Sequence, residues 1–557
     1  MRCFLRCRAR SPAPPFVRVG PVERALARVR VRVQPPRASL QPPCGLLAAD
    51  SLPYCARSLA QLVACAPPTV WPQPSKLSLG GGGDGACLLF SAQLGLARAA
   101  QGSESGVLVR AMARYNATKL DAARTCRGAG AAGGLVGACV AVSPVVVSVA
   151  DASEALDGDT DESYSLHLEA AGAANGGGSA IVAKTTFGAI RALETLAQLI
   201  ECGAGGAMVV NATSVDVVDT PYLAHRALMI DTGRAFYPVE YIEAIVDAMA
   251  YAKLNVLHWH LVDDESFAFG SARQPALAEG AFHQGAVYSM QDLEGLVAFA
   301  KDRGVRIVPE IDMPGHARSW GVGRPDMLVR DCPSSSDPPM DVANASIFET
   351  VKDVLRDVVD VFPDASIHIG GDEVKTDCWD ESPSTQAFIK AQGLTDGAAL
   401  QSYFERQVVE FVASELNRSA VVWEEAFVHW DASKGALPAS VVVEPWRLRG
   451  TNRSVVAQSL KAGHRTVYTT PDLYLDYHLP RAPEPAPPLG NQLGADWRGV
   501  YQVDPFPADD QYIKALTPAQ QANFVGAEVV RLYPALARIC PSLPAPRSVP
   551  WCVMLPC

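Results

Sequence analysis

The feature that most constrains the fold of this chain is a repeated alternation of strand-like and helix-like segments. Between residues 225 and 530, short apolar runs alternate with stretches whose apolar residues recur at helical spacing. The runs are HRALMID, LNVLHWHLVD, VRIVPEID, SIHIGGDE, SAVVWEE, SVVVEPWR, TVYTTPDLYL and FVGAEVV. Parallel strands need crossover connections that are usually helices, so the pattern predicts an α/β fold, a (β/α)8 TIM barrel.

A doubly wound open sheet is the alternative arrangement of the same alternation. Sheets of that kind carry a Gly-rich phosphate loop after an early strand, and no such loop follows any early run here. The runs are apolar on both faces and end in polar residues, which is typical of buried parallel strands with a functional rim at their carboxyl ends. The barrel is therefore the favoured interpretation.

The sequence divides into three parts. Residues 1–68 are rich in Pro and Arg and show no sustained periodicity, which predicts a leader or disordered segment. Residues 69–221 hold short strand-like runs and one helical stretch, AIRALETLAQLIECG, which predict a small α+β domain. Residues 222–557 hold the barrel, and from residue 531 the sequence becomes rich in Pro and Cys. We therefore expect a barrel that is truncated or altered after its eighth strand.

Charge and hydrophobicity narrow the classes of function. The net charge is −11, although the first forty residues hold ten Arg and one acidic residue, so the remainder is clearly acidic. This balance argues against a nucleic-acid-binding surface on the folded part. The uncharged stretch 128–150 contains many Gly and ends in VVVSVA, which favours a buried strand. We therefore expect no transmembrane helix.

Cysteines and glycosylation sequons indicate the cellular compartment. Fourteen cysteines in 557 residues fit a few isolated disulfides formed in an oxidising compartment. The start, MRCFLRCRAR, lacks the apolar core of a signal peptide and also fits an organellar transit peptide. We expect the secretory pathway, ending in a lysosome, a vacuole or outside the cell. Candidate N-glycosylation sites are Asn116, Asn211, Asn344, Asn417 and Asn452.

Polar residues at the ends of the predicted strands indicate one common site. In a barrel, the side chains at the carboxyl ends of the strands form the active site. Here these ends supply carboxylates, aromatic rings, one Arg and one His, a mixture that suits a sugar. The ends are Asp231–Arg234, Asp263–Asp264, Glu310–Asp312 with His316, Asp372–Glu373, Glu424–Glu425, Glu444–Trp446 and Tyr474–Asp476.

The string HIGGDEV (368–374) is the most informative of these strand ends. Gly370 and Gly371 let the backbone turn closely, and two acids follow at once. Because adjacent like charges drive pKa values apart, we expect either Asp372 or Glu373 to be protonated more readily than the other. Such a pair suits glycoside cleavage by a neighbouring-group nucleophile. Taken alone, the string also fits a surface turn or a cation site.

Several motifs, in order along the chain, resemble glycoside hydrolase family 20, the β-N-acetylhexosaminidases. The barrel motifs are DTGRAFYP (231–238), LNVLHWHLVDD (254–264), EIDMPGH (310–316), HIGGDEV and VVWEE (421–425). Upstream, VWPQPSKLSL (70–79), DESYSLHLEA (161–170) and TTFGAIRALETLAQLI (185–200) resemble the small N-terminal domain of that family. The resemblance covers residues 69–530. It implies a lysosomal or secreted enzyme that removes terminal N-acetylhexosamines.

The resemblance also implies roles for individual residues. Glu373 would be the general acid that protonates the leaving oxygen, and Asp372 would orient the substrate's 2-acetamido group. The oxygen of that group attacks C1 in place of an enzyme carboxylate, and configuration is retained. Substrate contacts are implied for Arg234, Asp263, His316, Trp423, Trp446, Tyr474 and Asp476, and disulfides for Cys332 with Cys378 and for Cys87 with either Cys126 or Cys139. The resemblance implies an enzyme that uses no metal or other cofactor and whose partner is a glycan substrate. It also implies a homodimer, since the family is often dimeric.

Two departures leave other functions open. After its eighth strand the family has a Trp and a Glu that complete the sugar pocket, whereas this chain has RLYPAL (531–536). A weak or inactive glycan-binding homologue is therefore one alternative. His258 and His260 imitate the H-x-H metal site of barrel amidohydrolases, which is a second alternative, but only His429 follows near strands five and six. Supporting positions at the barrel mouth are expected for Glu310, Glu424 and Glu425.

Overall fold

The computed structural model describes most of the chain from residue 70 to residue 531. The described ranges are 70–81, 86–90, 95–98, 105–128, 139–173, 178–203, 207–332, 337–447, 453–474 and 503–531. The predicted leader, Asn452, Asp476 and the tail from residue 532 lie outside these ranges. Within them, no helix is both long and apolar enough to cross a membrane.

The residues before the barrel form two sheets and two helices. The strands are β1 (Lys76–Leu79), β2 (Cys87–Phe90), β3 (Leu96–Arg98), β4 (Cys139–Ala141), β5 (Val145–Asp151), β6 (Tyr164–Glu169), β7 (Ala180–Thr185), β8 (Glu201–Cys202), β9 (Met208–Val210) and β10 (Ser214–Asp219), and the helices are α1 (Gly106–Gly128) and α2 (Thr186–Leu199). One sheet has the order β1-β10-β6-β7-β5-β3 and the other the order β4-β2-β9-β8. The side chain of Thr185 caps α2 by accepting a hydrogen bond from the Gly188 amide.

Strand β5 differs from the fully buried strand that its apolar sequence predicts. Val145 and Val147 are buried, whereas Val146 between them is 37% exposed. Successive side chains of a strand point to opposite faces, so only one face of β5 packs against the core. The predicted helix after β7 also ends earlier than expected, because Glu201 and Cys202 form β8.

The second half of the described chain is a closed barrel of parallel strands. The strands are β11 (His225–Asp231), β12 (Val256–Val262), β13 (Arg306–Ile311), β14 (Ser366–His368), β15 (Ser419–Trp423), β16 (Val442–Glu444), β17 (Arg465–Tyr468) and β18 (Phe524–Arg531). They are hydrogen-bonded in sequence order, and β18 pairs with β11 from His225↔Gly526 to Ile230↔Arg531. The predicted (β/α)8 barrel is therefore confirmed.

Helices connect most of the barrel strands and cover the outside of the barrel. They are α3 (Val239–Tyr251), α4 (Met290–Lys301), α5 (Trp320–Gly323), α6 (Ser346–Val361), α7 (Thr376–Glu381), α8 (Pro383–Ala391), α9 (Gly397–Ser414), α10 (Glu424–Val428), α11 (Ser454–Ala462) and α12 (Pro518–Gln521). The apolar faces of α3, α4, α6 and α9 pack with the strands in one continuous core. This burial stabilises the barrel and fixes the strand ends that carry the predicted site.

A buried ion cluster joins the small domain to the amino-terminal ends of the barrel strands. The Glu162 carboxylate accepts hydrogen bonds from Arg191 at 2.6 Å and from Arg226 at 2.5 Å. It also accepts one from the Asn255 side chain at 3.1 Å. These charges are almost fully buried, so each needs its partners to offset the loss of water. The contact lies at the opposite end of the strands from the predicted site.

Two disulfides lie among the described residues. Cys87 pairs with Cys139, which joins β2 to β4 and decides between the two partners expected for Cys87. Cys332 pairs with Cys378, which ties the segment after α5 to α7. The second disulfide lies just beyond the segment that carries Asp372 and Glu373.

Candidate active site

The segment after β14 presents two adjacent acids at the carboxyl end of the barrel. Strand β14 ends at His368, and the backbone then takes positive φ values at Gly370 (+69°), Gly371 (+98°) and Glu373 (+49°). A Cβ atom at Gly370 would lie 1.7 Å from Oδ1 of Asp312, so only glycine fits there. A positive φ is unusual for a residue such as Glu373 and is maintained by the surrounding contacts.

His316 lies between the two acids. Its Nδ1 is 2.7 Å from Asp312 and 3.7 Å from Asp372, and its Nε2 is 3.6 Å from Glu373. Burial works against the charge on His316, but Asp372 and Asp312 together hold its pKa well above the ordinary value. His316 is therefore a largely buried cation that faces both members of the predicted pair.

One cation, His316, lowers the pKa values of both acids. A hydrogen bond from His316 lowers the pKa of Glu373, although the charge of Asp372 acts in the opposite direction. Burial would raise the pKa of Asp372, but the charge and the hydrogen bond of His316, together with the charge of His260, lower it. That one acid is protonated more readily than the other stays a prediction, and the structure adds a cation shared by both.

One oxygen of Asp372 is buried against His316. This Oδ1 accepts no close hydrogen bond from a described residue, and Nδ1 of His316 lies 3.7 Å from it. The charge of His316 therefore offsets the burial of this carboxylate. In contrast, the side chain of the adjacent Glu373 is 49% exposed. The site therefore offers a negatively charged carboxylate, held against His316, next to a carboxyl group that faces solvent.

Arg234 is held at the mouth by two carboxylates. Its guanidinium lies 2.7 Å from Asp231 and 2.8 Å from Asp263. Although burial works against it, Asp231 and Asp263 raise the pKa of Arg234. The same Asp263 oxygen lies 2.8 Å from Nε2 of His260. Burial would raise the pKa of Asp263, but the hydrogen bond and charge of His260, with the charges of His316 and Arg234, lower it, so this carboxylate stays charged.

Aromatic side chains form the next part of the site. Trp423, Tyr474 and Trp446 belong to one apolar cluster with Met229 and Val530. Trp423 and Tyr474 are buried, whereas Trp446 is half-buried. The structure thus brings together every predicted sugar-contacting residue that it describes. Asp476, the remaining one, lies outside the described residues.

Glu425 supports both Trp446 and the acid-bearing segment. Its Oε2 accepts a hydrogen bond from the Trp446 indole at 2.9 Å, and its Oε1 accepts one from the Glu373 amide at 3.4 Å. Arg447 forms an ion pair with the same carboxylate. Burial, and then the charge of Asp372, raise the pKa of Glu425 to about 7. The supporting position expected for Glu425 thus has a defined set of contacts.

Two residues beneath the acid-bearing segment were not predicted. On α9, the Gln401 amide donates hydrogen bonds to the Gly371 carbonyl at 2.9 Å and to Glu405 at 2.8 Å. Glu405 is 1% exposed, and burial raises its pKa to about 8. The available signal was a polar pair four residues apart on the apolar face of a helix that also carries Leu400, Phe404 and Val408.

Several groups of side chains have the composition of a metal site. The groups whose ligand atoms lie within 4.8 Å of one another include His258 with Glu310 and His368, and His316 with Asp372 and Glu373. In the first group, Glu310 already accepts a hydrogen bond from the Trp423 indole and pairs with His260. These partners account for the carboxylate of Glu310 without an ion.

The fold and the site together define a class of protein. Adjacent acids, a partly buried arginine held by two carboxylates, and aromatic walls lie at the carboxyl end of one (β/α)8 barrel. This combination is typical of barrel enzymes that act on sugars.

Comparison with known proteins identifies the family within this class. Residues 223–531 match the catalytic domain of glycosyl hydrolase family 20, and residues 70–199 match a domain described as beta-acetyl hexosaminidase like. The chain therefore belongs to glycosyl hydrolase family 20. The resemblance seen in the sequence motifs is confirmed, and the metal-dependent amidohydrolase alternative is not supported.

Similar proteins include mammalian enzymes and bacterial structures. The beta-hexosaminidase subunit beta of Homo sapiens is 32% identical over 375 residues, which are 66% of this chain and 61% of that protein. The Felis catus subunit beta is 33% identical over 70% of this chain and 71% of its own length. A Flavobacterium johnsoniae chitobiase structure aligns with a TM-score of 0.66 and 25% identity, over 83% of this chain and 65% of the other. The chain thus spans less than two thirds of the human relative.

Proposed function

We propose that this protein is a β-N-acetylhexosaminidase that hydrolyses terminal non-reducing N-acetyl-D-hexosamine residues of glycoconjugates. The observation that carries the proposal is the adjacency of two acids, the charged Asp372 carboxylate and the half-exposed carboxyl of Glu373, with His316 against both. A 2-acetamido N–H would donate a hydrogen bond to Asp372. Membership of glycosyl hydrolase family 20 supports the same reaction.

The proposed reaction is retaining and substrate-assisted. Asp372 binds the acetamido N–H and stabilises the positive charge that develops as the acetamido oxygen attacks C1. Glu373 donates a proton to the leaving oxygen and then accepts one from the water that opens the cyclic intermediate. Each sugar-releasing step thus uses the same two neighbouring side chains. His316, which is charged and contacts both, holds them in place.

The pocket walls would then position the sugar. Arg234, held by Asp231 and Asp263, offers its guanidinium to sugar hydroxyls. Trp423, Trp446 and Tyr474 offer apolar faces to the acetamido methyl group and the pyranose ring. Fixing the ring in this way brings the acetamido oxygen close to C1, which contributes through proximity and orientation.

The proposal includes a preference for acidic pH. His316 lowers the pKa of Glu373, so the free carboxyl is ionised at neutral pH. A proton donor must be protonated before it acts, so turnover rises as pH falls toward the pKa of Glu373. A bound sugar removes water from around this half-exposed group and raises its pKa. The apparent pKa in the pH profile of kcat should therefore be higher than the apparent pKa in the profile of kcat/KM.

A chromogenic substrate tests the proposal. We expect the purified chain to release the aglycone from an aryl N-acetyl-β-glucosaminide or galactosaminide. The matched glucoside, which lacks the acetamido group, should not be cleaved because it has no internal nucleophile. Activity should persist with a chelator. Binding of N-acetylglucosamine thiazoline without any turnover would instead favour the glycan-binding alternative, and neither binding nor turnover would contradict the proposed function.

We also propose that the protein matures in the secretory pathway and reaches a lysosome or the cell exterior as a homodimer. Disulfides Cys87–Cys139 and Cys332–Cys378 support an oxidising compartment. Of the sequons, Asn417 is exposed between α9 and β15, whereas the side-chain amides of Asn211 and Asn344 already donate hydrogen bonds. Asn417 is therefore the favoured acceptor, with Asn116 and Asn452 as further candidates. Endoglycosidase treatment and native mass measurement test these points.

A further inference from the structure

Glu310 is a fully buried carboxylate that lies beneath the candidate pocket at the end of β13. Its exposed fraction is 0%. Oε1 accepts a hydrogen bond from the Trp423 indole at 2.8 Å, and Oε2 lies 2.6 Å from Nδ1 of His260 and 3.0 Å from Nε2 of His258. Burial would raise the pKa of Glu310, but His260 and the other histidines lower it well below the ordinary value. Glu310 is thus an ionised hub with several partners.

One branch from Glu310 leads to an aromatic wall of the pocket. The Trp423 indole N–H has this single hydrogen bond among those found in the described residues, while the ring packs with Trp446 and Tyr474. A hydrogen bond to a charged acceptor contributes more than one to a neutral acceptor. It also fixes the rotation of the indole about its side-chain bonds, which apolar packing alone does not determine.

A second branch leads to the opposite wall. His260 joins Glu310 to Asp263, with 2.6 Å at Nδ1 and 2.8 Å at Nε2. The same oxygen of Asp263 lies 2.8 Å from Arg234. Charges therefore alternate along this chain from Glu310 to the guanidinium. Loss of the negative charge at Glu310 would leave His260 with Asp263 as its one hydrogen-bonded carboxylate among the described residues.

We propose that Glu310 is a positioning residue that fixes Trp423 and, through His260 and Asp263, Arg234 in one arrangement suited to the bound sugar. The inference rests on the proposed function, because it concerns how the pocket is held for an N-acetylhexosamine. Glu310 itself is buried behind Trp423 and His260 and does not touch the substrate. Its contribution is to set the distance and the orientation between the two walls.

A double-mutant cycle tests this role. Glu310→Gln keeps the shape of the side chain and removes the charge, and Trp423→Phe keeps an aromatic ring and removes the N–H. We expect each to weaken binding of N-acetylglucosamine thiazoline by roughly tenfold or more, with the larger loss in Glu310→Gln because it affects both branches. The loss in the double variant should be smaller than the product of the two single losses, because a neutral glutamine accepts a weaker hydrogen bond from Trp423 than the charged carboxylate does. KM should rise along with the loss of kcat.

Trp446→Phe is the matched control, because the Trp446 N–H bonds to Glu425 rather than to Glu310. In a Glu310→Gln/Trp446→Phe double variant, the fold-loss of thiazoline affinity should equal the product of the two single losses. Multiplying effects of Glu310→Gln and Trp423→Phe would overturn the proposal. Each affinity is corrected for the fraction of folded protein, which calorimetry measures. If a variant only loses stability, its corrected affinity stays at the wild-type value, and that result would also overturn the proposal.

The remaining outcomes are also distinguishable. If Glu310→Gln does not fold, the Trp423→Phe variant tests the proposal by itself. Unchanged thiazoline affinity in Trp423→Phe would then contradict the proposal. A wild-type protein that neither cleaves the aryl glycoside nor binds the thiazoline contradicts the proposed function itself. Wild-type activity with unaffected variants contradicts only the role of Glu310.

Discussion

Replacing Glu405 with Gln removes the ability of one buried group to ionise and changes almost nothing of its shape. Glu405 is 1% exposed on α9, and its Oε1 accepts a hydrogen bond from Gln401 at 2.8 Å, while Oε2 has no partner among the described residues. A Gln carbonyl oxygen accepts the same hydrogen bond. The substitution therefore isolates the free energy of ionising this carboxyl inside the protein.

The pKa of Glu405 fixes the expected size and sign of the effect. Burial raises this pKa from 4.5 to about 8, so the folded protein holds a proton that the unfolded chain releases above pH 4.5. The stability contributed by this proton is fully present below pH 4.5 and is lost as pH rises toward 8. The loss amounts to about 3 kcal/mol at pH 7 and about 5 kcal/mol above pH 8. Gln carries no such proton and suffers no such loss.

Urea denaturation followed between pH 4.5 and pH 8 measures this difference. Wild type and Glu405→Gln should have nearly equal free energies of unfolding at pH 4.5. At pH 7 the variant should be more stable by about 3 kcal/mol, or about 5 °C in melting temperature. Glu410→Gln is the matched control, since Glu410 is exposed on the same helix. Its stability should follow the wild-type curve at every pH.

Two results would refute this reasoning about Glu405. Coincident curves for wild type and Glu405→Gln across the whole pH range would mean that the carboxyl ionises as readily in the folded as in the unfolded protein. A constant destabilisation of Glu405→Gln at every pH would mean that the contact with Gln401, and not the charge, governs this position.

The remaining predictions concern the two acids and the turn before them. Glu373→Gln should lose most turnover on substrates with poor leaving groups and be rescued by very good ones in the first step; near wild-type turnover on a poor leaving group would exclude Glu373 as the acid. Asp372→Asn should bind N-acetylglucosamine thiazoline less tightly, and unchanged affinity would exclude substrate assistance. Gly370→Ala should lower kcat/KM by about a hundredfold, because its Cβ would meet Asp312 and displace the acids. Gly393→Ala, at a similar φ but with no atom within 4 Å of its Cβ, should remain near wild type.

The sequence alone determined the barrel and most of the site. Strand β11 begins and ends at the predicted residues, His225 and Asp231, and β18 begins at the predicted Phe524. Hydrophobic periodicity is local information, and a run of buried residues followed by acids shows both the strand and its functional end. The adjacent acids in HIGGDEV and the family motifs were visible for the same reason.

Only the tertiary structure decided the electrostatics of the site. Sequence adjacency suggested that Asp372 and Glu373 repel each other's charge, but His316, from a different strand end, lies against both. Likewise, the role of Glu310 depends on Trp423, which lies more than a hundred residues away along the chain. A pKa depends on burial and on charges within a few ångströms. Those distances are set by closure of the barrel, which no short segment of the sequence contains.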